Sequence, residues 1–543
     1  MLGNIDIRIL INIYVIIAVI FIYSMIKMRR SLHMLQQNLY NENNRYLKWV
    51  NKNKKEIYKN LDLFGIIFVV GFILVYEKLV SYYFVGLIVL LYIVCTYEFI
   101  KDRKKDQNKK PLVITARIKR LIFTTIILYL IPIIVGIYTR LGDALLVLAI
   151  MAVLSYYVVY IANIINMPIE KLVYKYYEKK AKSKLASMPS LKVIGITGSY
   201  GKTSSKNILA DVLNVKFNTL PTPKSLNTFN GLMITVNNKL TKFDDCFIAE
   251  MGAYVKGEIN GLCELVNPKY GIITSIGTAH LATFGSEKNI QEAKMELIEY
   301  LPKDGIGVLN RDDEKQKSYV IKKKDHCCVL WIGIDTKDEV DVRASNIKCN
   351  SEGTSFICTF KGDKKKYEFQ TRLLGKHNVY NIIASLALGY EFGISIEKLQ
   401  QAVRKIKPVE HRLEIKKFAN FYQIDDAYNS NPVGAKSALD VLEMMDGIKV
   451  VVTPGMIELG DKEEYYNKEF GKQIAEVADK VILVGAKKTK PILEGLKEKK
   501  FKKDDIEVIN DVREAYDILN KLSSKKKIYA LFENDLPDTY NEK

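Results

Sequence analysis

Residues 192–204 read KVIGITGSYGKTS, and this stretch indicates the architecture of most of the chain. The β-branched run 192–196 is typical of a buried strand, and residues 205–213 have a helical period. A strand, a glycine turn and a helix are the context of a phosphate-binding loop, because glycines let backbone N–H groups converge on phosphate oxygens and the helix N-terminus adds partial positive charge. Lys202 is placed to reach the β- and γ-phosphates, and Thr203 to ligate Mg²⁺.

The loop departs from the common G-x-x-x-x-G-K-[ST] form, because Ile196 stands where the first glycine belongs. The string present is G-x-T-G-x-x-G-K-T-S. A chance Gly-Lys-Thr in a glycine turn is the alternative, and the flanking strand and helix argue against it. The predicted nucleotide-binding residues here are Gly198, Ser199, Tyr200, Gly201, Lys202, Thr203 and Ser204.

Three ionisable residues after the loop are candidate metal ligands. Glu250 ends an apolar, strand-like stretch, and α/β sheets bind ligands at that edge, so its carboxylate could hold Mg²⁺. His280 follows a second predicted strand at 270–277, although taken alone it is equally a hydrogen-bonded loop histidine. Lys294 borders the apolar face of a helix predicted at 287–301, where burial would favour a neutral amine able to react with CO₂. A lysine snorkelling off an apolar helix is the alternative.

The rest of the chain continues the α/β pattern. Residues 341–370 predict hairpins, and Asn378 and Asn381 share a helical face, from which amides can donate to and accept from an adenine edge. Strands predicted at 421–427, 448–453, 480–485 and 527–533 alternate with helices, which suggests a dinucleotide-fold-like sheet. That region has no G-x-G-x-x-G string, so NAD is not expected.

These strings together resemble the Mur ligase superfamily over about residues 190–543, and most closely its D-Ala-D-Ala-adding members. Besides the phosphate loop, the resemblance rests on AHLATFGS (279–286), GKHNVYN (375–381), DAYNSNP (426–432) and GMIELG (455–460). It implies an α/β fold with a central P-loop ATPase domain and a C-terminal Rossmann-like domain. The domain boundaries predicted are 1–187, 188–408 and 409–543.

The resemblance also implies ATP and two Mg²⁺ ions as cofactors. It assigns the metal ions to Thr203, Glu250, His280 and Lys294, with Lys294 carbamylated into a carboxylate-like ligand. The implied catalytic group is Lys202, Glu250, His280 and Lys294. The implied nucleotide contacts beyond the phosphate loop are Asn378, Asn381, Arg412 and Asp426, the last two after domain closure.

The substrate residues that the resemblance implies fall on two segments. On the acceptor side these are Asn227 and Thr228, although the segment 221–228 resembles the family's T-x-G-N-x-N-N form only loosely. Near the incoming amine they are Tyr428, Asn429 and Asn431. The implied reaction activates a carboxylate as an acyl phosphate, which a free amine then attacks.

The N-terminal third differs from a soluble ligase. Long apolar runs lie at 7–26, 61–76, 79–99, 121–138 and 144–165, the second being short for a membrane crossing. Residues 1–185 carry 27 Lys/Arg against 11 Asp/Glu, most of the net charge of +20, and this excess lies in loops between the runs. By the positive-inside rule these features predict five crossings, with the catalytic domains cytoplasmic. No nucleic-acid partner is expected, because the surplus of Lys and Arg lies in the loops between the predicted membrane helices and does not form a basic face on a soluble domain.

A basic, amphipathic helix at 168–187 is expected to lie along the inner membrane surface as a connector.

The ligase resemblance and the apolar runs together leave three hypotheses for the function. They are a D-Ala-D-Ala-type ligase in cell-wall precursor synthesis at the cell membrane, the same chemistry on a polyglutamate-like polymer or a variant wall peptide, and a membrane ATPase or transport component. The runs hold almost no interior charge to line a path, which disfavours transport. With membrane helices in place of a UDP-binding domain, the acceptor could be a lipid-linked or a UDP-linked peptide, and the partner an amino acid or dipeptide.

Overall fold

The computed structural model describes residues 7–58, 60–75, 81–105, 111–224, 226–408, 412–427, 432–457, 459, 462–522 and 526–534. The chain divides into two compact units, residues 1–176 and 177–543. The first unit is helical, and the second contains a nine-stranded and a six-stranded sheet flanked by helices. The predicted fold class, a helical N-terminal region followed by α/β domains, is confirmed.

The helices of the N-terminal region correspond to the apolar runs and their flanks. They are α1 (Ile7–Gln37), a 3₁₀ turn (Leu39–Asn44), α2 (Arg45–Lys52), α3 (Lys54–Ile57), α4 (Asn60–Val75), α5 (Ser81–Lys105), α6 (Ala116–Tyr138), α7 (Leu141–Val153) and α8 (Ser155–Ala186). Within the described residues, α1, α5 and α6 are long and apolar enough to cross a membrane, and α7 with α8 makes a fourth candidate bent by 90°.

Five complete crossings were predicted, and the structure supports three or four among the described residues. The apolar part of α4 spans only Leu61–Val75, which at 1.5 Å per residue falls short of a hydrocarbon core of about 30 Å. The predicted separation between a crossing at 144–165 and a connector at 168–187 is also wrong. The break lies at Leu154, and α8 then continues through Pro168. No glycine or proline adjoins Leu154 to mark that break.

The helical unit contains a buried ion pair that the apolar runs did not predict. Lys27 directly follows the apolar run 7–26, in a segment predicted to be a basic loop, but α1 continues past it, and both Lys27 and Asp62 are buried. Lys27 Nζ lies 3.0 Å from Asp62 Oδ2, and the Tyr23 hydroxyl donates to Asp62 Oδ1. A pair that excludes water in this way fixes α1 against α4, because neither charge can be left alone in an apolar interior.

The second unit begins with a large sheet. Its strands are β1 (Lys192–Thr197), β2 (Thr219–Pro221), β3 (Cys246–Glu250), β4 (Tyr270–Ile273), β5 (Ile306–Asn310), β6 (Cys328–Gly333), β7 (Val342–Asn350), β8 (Gly353–Phe360) and β9 (Tyr367–Thr371). They run in the order β2-β3-β1-β4-β5-β6-β7-β8-β9. The strands are parallel up to β7, and β7, β8 and β9 are antiparallel, as the predicted hairpins require.

Helices cover both faces of this sheet. They are α9 (Lys202–Leu213), α10 (Phe229–Asn238), α11 (Glu258–Val266), α12 (Leu281–Phe284), α13 (Glu287–Tyr300), α14 (Glu314–Lys317), α15 (Lys376–Glu391) and α16 (Ile396–Lys405). Strand β1 is almost wholly buried between two apolar layers, which explains why most of its residues are apolar and β-branched. Because β3 and β4 pair with β1 on either side, their carboxyl ends bring Glu250 and the segment leading to His280 beside the phosphate loop.

The smaller sheet has the order β10-β11-β15-β12-β13-β14 and is parallel except for β10. Its strands are β10 (Glu414–Lys417), β11 (Tyr422–Asp426), β12 (Ile448–Thr453), β13 (Lys480–Val484), β14 (Ile506–Ile509) and β15 (Ile528–Glu533). Its helices are α17 (Pro432–Glu443), α18 (Glu463–Val477), α19 (Lys490–Glu498) and α20 (Val512–Lys521), with a 3₁₀ turn at Lys503–Asp505. The four predicted strands are present, and the short strands β10 and β14 were missed.

Candidate active site

The phosphate loop connects β1 to α9, and its glycines are required by geometry. Gly198 has φ +152°, and a Cβ there would overlap the Thr274 side chain. Gly201 has φ +78°, a left-handed conformation that glycine adopts without strain. Thr274 Oγ1 also donates to Tyr200 O at 2.6 Å, which fixes the loop against the end of β4. The backbone therefore forms a rigid cradle at the N-terminus of α9.

Lys202, the first residue of α9, folds back over this loop. Its Nζ donates to Gly198 O at 2.8 Å and to Ser199 O at 3.4 Å. Burial lowers the pKa of Lys202, while the negative charge of Glu250 acts in the opposite direction. A cation held inside a phosphate-binding loop in this way is suited to neutralise a terminal phosphate.

Glu250 lies at the end of β3 and is only 1% exposed. Its Oε1 accepts hydrogen bonds from Thr203 Oγ1 and Asn227 Nδ2, both at 3.1 Å. Its Oε2 lies 3.0 Å from the Nζ of Lys206, a residue that the sequence analysis did not select. The hydroxyl and the carboxylate assigned to Mg²⁺ are thus in direct contact beside the loop.

His280 and Lys294 approach the same region from α12 and α13. His280 immediately precedes α12 and has φ +61°, and its ring centroid lies 4.6 Å from that of Tyr254 in an edge-to-face contact. Lys294 is 2% exposed, with Nζ 3.5 Å from Ala253 O and 5.5 Å from the Phe284 ring centroid. Both side chains therefore lie just beyond the strand end that carries Glu250.

The electrostatics of these residues show that they share one neighbourhood. Burial, followed by the positive charge of Lys202, lowers the pKa of Lys294 to about 8. Burial lowers the pKa of His280 as well, with additional contributions from Lys202 and Lys294. With a pKa of about 8, Lys294 is neutral in a substantial fraction of molecules near neutral pH, as carbamylation requires.

The donor set fits magnesium, but not as a preformed cage. In the part of the chain that the structure describes, no group of three or more His, Cys, Asp or Glu side chains could hold a metal ion. Magnesium commonly binds through one or two protein oxygens together with oxygens of substrate phosphates. The adjacent oxygens of Thr203 and Glu250 can serve as these protein ligands. A second ion beside His280 needs a further oxygen ligand, and a carbamate on Lys294 would supply one.

A cavity of about 890 Å³ extends from the phosphate loop to the smaller sheet, and it is large enough for a nucleotide. Asn378, Asn381, Arg412 and Asp426 line it together with all the predicted loop residues except Gly198. Asn378 Nδ2 donates to Leu374 O at 2.8 Å, so its amide is fixed by its own helix. Burial raises the pKa of Asp426, and the nearby charge of Arg412 opposes this.

Several cavity residues were missed by the sequence analysis. The Tyr380 hydroxyl donates to Asp312 Oδ2 at 2.8 Å, and the same carboxylate accepts from Ile334 N at 2.6 Å and Thr336 N at 2.5 Å. Asp312 follows β5, so an acidic residue after a buried strand was a signal available in the sequence. Other lining residues outside the predicted set include Asp211, Thr274, Asn310, Asp313, Lys407 and Ser437.

The predicted substrate residues divide into two groups. Thr228 caps α10, with Oγ1 accepting from Gly231 N at 3.3 Å. Asn227 contacts Glu250 and also accepts from Gly252 N at 2.7 Å through its backbone oxygen. Both residues therefore make hydrogen bonds within the protein, beside the metal-ligand candidates. The predicted amine-side residues Tyr428, Asn429 and Asn431 lie outside the described residues.

Comparison with protein families agrees with this geometry. Residues 196–389 match the Mur ligase middle domain, and residues 411–531 match the Mur ligase glutamate ligase domain. The chain is 34% identical over 338 residues to the UDP-N-acetylmuramoyl-tripeptide–D-alanyl-D-alanine ligase of Bacillus subtilis, covering 62% of this chain and 71% of the relative. The ligase of that name from Escherichia coli is 32% identical over 299 residues, covering 54% and 64%.

Solved structures give the same result. MurF from Acinetobacter baumannii superposes with a TM-score of 0.55 at 27% identity, covering 66% of this chain and 77% of that one. MurF ligase from Thermotoga maritima, solved in complex with ADP, has a TM-score of 0.56 at 25% identity, covering 66% and 80%. The helical N-terminal region lies outside both matched family domains. From residue 196 onward, the chain belongs to the Mur ligase family of ATP-dependent amide-bond ligases.

Proposed function

We propose that this ligase joins a D-Ala-D-Ala-type dipeptide or an amino acid to the carboxylate of a cell-wall precursor, at the membrane. The observation that carries the proposal is the contact of Thr203 with Glu250 next to Lys202, at one end of a nucleotide-sized cavity. The names of the B. subtilis and E. coli relatives support the dipeptide as the amine substrate.

In the proposed first step, an oxygen of the acceptor carboxylate attacks the γ-phosphorus of ATP, and the bond from that phosphorus to the ADP oxygen breaks. Lys202 would stabilise the negative charge on the transferred phosphoryl group, which is the main contribution an enzyme makes to this chemistry. Thr203, Glu250, His280 and a carbamylated Lys294 would hold magnesium, which supplies charge neutralisation. Asn378 and Asn381 would orient the adenine at the other end of the cavity.

In the second step, the amine nitrogen attacks the acyl carbon, the C–O bond to phosphate breaks, and the amine loses a proton. The acyl phosphate hydrolyses readily, so water has to be excluded from it. Arg412 and Asp426 already line the nucleotide cavity from the smaller sheet, and this position suits them to hold the two catalytic domains closed over ATP. Tyr428, Asn429 and Asn431 remain the proposed amine-side residues.

The acceptor is proposed to be a peptide linked to lipid or to UDP. Three or four apolar helices precede the catalytic domains, and residues 1–185 carry most of the net charge of +20, with 27 Lys/Arg against 11 Asp/Glu. We propose that residues 1–187 anchor the enzyme in the cell membrane as a multi-pass region, with domains 188–408 and 409–543 in the cytoplasm. A variant wall peptide or a polyglutamate-like polymer is the second candidate, because the loop at Asn227 and Thr228 departs from the family form.

The test is a coupled-substrate assay on the full chain in lipid nanodiscs. ADP and phosphate release should require both a carboxylate acceptor and an amine, and mass spectrometry of the products should identify the pair from a panel of UDP-linked and lipid-linked peptides. ATP hydrolysis that needs neither substrate would instead support an ATPase or transport component. Lys216→Met is a suitable control variant, because Lys216 is exposed, its Nζ donates to the carbonyls of Phe392 and Gly393, and it does not line the nucleotide-sized cavity.

Membrane anchoring has a separate test. The full chain should stay in the membrane fraction after extraction at alkaline pH, which removes peripheral proteins. Membrane-impermeant cysteine-labelling reagents, applied from outside intact cells, should leave the exposed Cys328 unmodified if the catalytic domains are cytoplasmic. Release by alkaline extraction would contradict the anchoring proposal without affecting the ligase proposal.

A further inference from the structure

Lys206 is a buried lysine in the active-site region to which the proposed reaction assigns no role. It lies one helical turn after Lys202 in α9, and its side chain is 2% exposed. Its Nζ lies 3.0 Å from Glu250 Oε2 and donates to Lys224 O at 2.6 Å. A buried ammonium group is costly unless its partners compensate it, so this lysine is held by two specific contacts.

The contact between Lys206 and Glu250 gives the two carboxylate oxygens of Glu250 different partners. Oε1 accepts from Thr203 Oγ1 and Asn227 Nδ2, on the side of the phosphate loop. Oε2 faces Lys206. Since a carboxylate that is free to rotate would exchange its two oxygens, the ion pair with Lys206 fixes Oε1 toward Thr203.

The second contact reaches the acceptor-side loop, defined as residues 221–228. Lys224 has φ +49°, a left-handed conformation that is unfavourable for a residue with a side chain, and Lys206 holds its carbonyl. On the other side, Thr222 Oγ1 accepts from Glu250 N at 3.1 Å and Asn227 O accepts from Gly252 N at 2.7 Å. The described residues of this loop are therefore joined to the end of β3, and Lys206 completes the connection from α9.

We propose that Lys206 is a positioning residue that acts through Glu250: it orients the carboxylate for magnesium and couples it to the acceptor-side loop. This inference rests on the proposed role of Glu250 as a metal ligand. Neighbouring groups that orient metal ligands typically contribute ten- to a hundred-fold to metal affinity. An ion pair with only a structural role would instead affect folding and leave the metal dependence of nucleotide binding unchanged.

The experiment measures ADP binding calorimetrically on the full chain in nanodiscs, once with MgCl₂ and once with EDTA. The ratio of the two affinities reports the magnesium contribution, and a wild-type ratio near one would contradict the proposed metal site itself. Given a wild-type ratio above one, Lys206→Met should lower it about ten-fold or remove it, with ADP affinity in EDTA unchanged. Lys216→Met should keep both wild-type affinities. A wild-type ratio in folded Lys206→Met would overturn the inference.

A double-mutant cycle tests whether Lys206 acts through Glu250. In the Glu250→Gln background, Lys206→Met should produce no further change in the magnesium contribution, because the group it positions is gone. An equal loss in both backgrounds would overturn the inference. If Lys206→Met alone does not fold, the double variant should fold, since it buries no unpaired carboxylate; failure of both to fold would show a structural role and also overturn it.

Hydrogen exchange tests the coupling to the loop. A peptide covering residues 222–228 should exchange faster in Lys206→Met than in wild type, while a peptide from α15 should not change. In Glu250→Gln the bond from Lys206 to Lys224 can persist, so exchange should increase less in that variant. Unchanged exchange over 222–228 in folded Lys206→Met would contradict the coupling.

Discussion

Lys294 offers the sharpest test of the active-site chemistry, because its burial has opposite consequences for stability and for function. The side chain is 2% exposed, and burial followed by the charge of Lys202 lowers its pKa from 10.5 to about 8. We expect Lys294→Met to make the nucleotide-free protein more stable and to abolish ligation. An apolar side chain of similar length removes the buried charge, but it cannot form a carbamate.

The magnitude follows from the fall in pKa. A change from 10.5 to about 8 corresponds to about 3 kcal/mol of unfavourable free energy for holding Lys294 as an ammonium group in the folded state. Between pH 8 and 10.5 the unfolded chain binds more protons at this site, so wild-type stability should rise with pH across that window. Below about pH 8 the penalty is complete. Lys294→Met should therefore be more stable by up to about 3 kcal/mol at pH 7 and should lack the rise.

The assay is urea unfolding of the catalytic region in CO₂-free buffer, from pH 7 to 10.5. The chain has two tryptophans, so a Trp49→Phe background leaves Trp331 of β6 as the reporter. Lys216→Met in the same background should reproduce the wild-type pH dependence. The reasoning is refuted if Lys294→Met is less stable than wild type at pH 7 while keeping the slope between pH 8 and 10.5.

Carbamylation gives an independent readout on the same residue. With a pKa of about 8, about a quarter of the Lys294 side chains are neutral at pH 7.5, against about one in a thousand for an ordinary lysine. Wild-type protein in ¹³C-bicarbonate should show a carbamate carbon resonance that Lys294→Met lacks. A resonance that persists in the variant would assign the carbamate to another amine.

Three further outcomes are expected. Lys202→Ala should abolish ADP release, with a loss of at least about 10²-fold, because Lys202 is the only cationic side chain in the phosphate loop 198–204; wild-type turnover would exclude the assignment. His280→Ala should reduce turnover about ten-fold or more and raise the magnesium concentration needed for half-maximal rate, measured by magnesium titration. Lys27→Met should destabilise the helical unit by about 3–5 kcal/mol by leaving Asp62 buried and unpaired, and Lys27→Met with Asp62→Asn should recover thermal stability in nanodiscs.

The phosphate loop could be found from the chain alone because its signal is local. Residues 192–213 carry a buried strand, two glycines with positive φ and an amphipathic helix in direct succession, and each is a property of neighbouring residues. The position of Glu250 and His280 near this loop could also be predicted, since both follow predicted strands and parallel strands place their carboxyl ends at one edge of the sheet. Their metal-binding roles remain predictions.

Lys206 and Asp62 could not be found in this way, because their partners are distant in sequence. In the sequence, Lys206 is one polar residue of an ordinary helical pattern. Only in the folded structure does β3 place Glu250 Oε2 3.0 Å from its Nζ. Asp62 begins an apolar helix, and its pairing with Lys27 depends on how α1 packs against α4. The break at Leu154 likewise has no glycine or proline to mark it.

Local periodicity and loop chemistry were enough to predict a helical N-terminal region, two α/β domains and a loop with the geometry of a phosphate-binding loop, since backbone preferences act over a few residues. Which charges become buried, and against which partners, depends on contacts between residues far apart in the chain. The low pKa of Lys294, the fixed carboxylate of Glu250 and the cavity reached by Arg412 and Asp426 all arise from such packing. Desolvation and ion pairing act through space, and for that reason they appear only when the chain is folded.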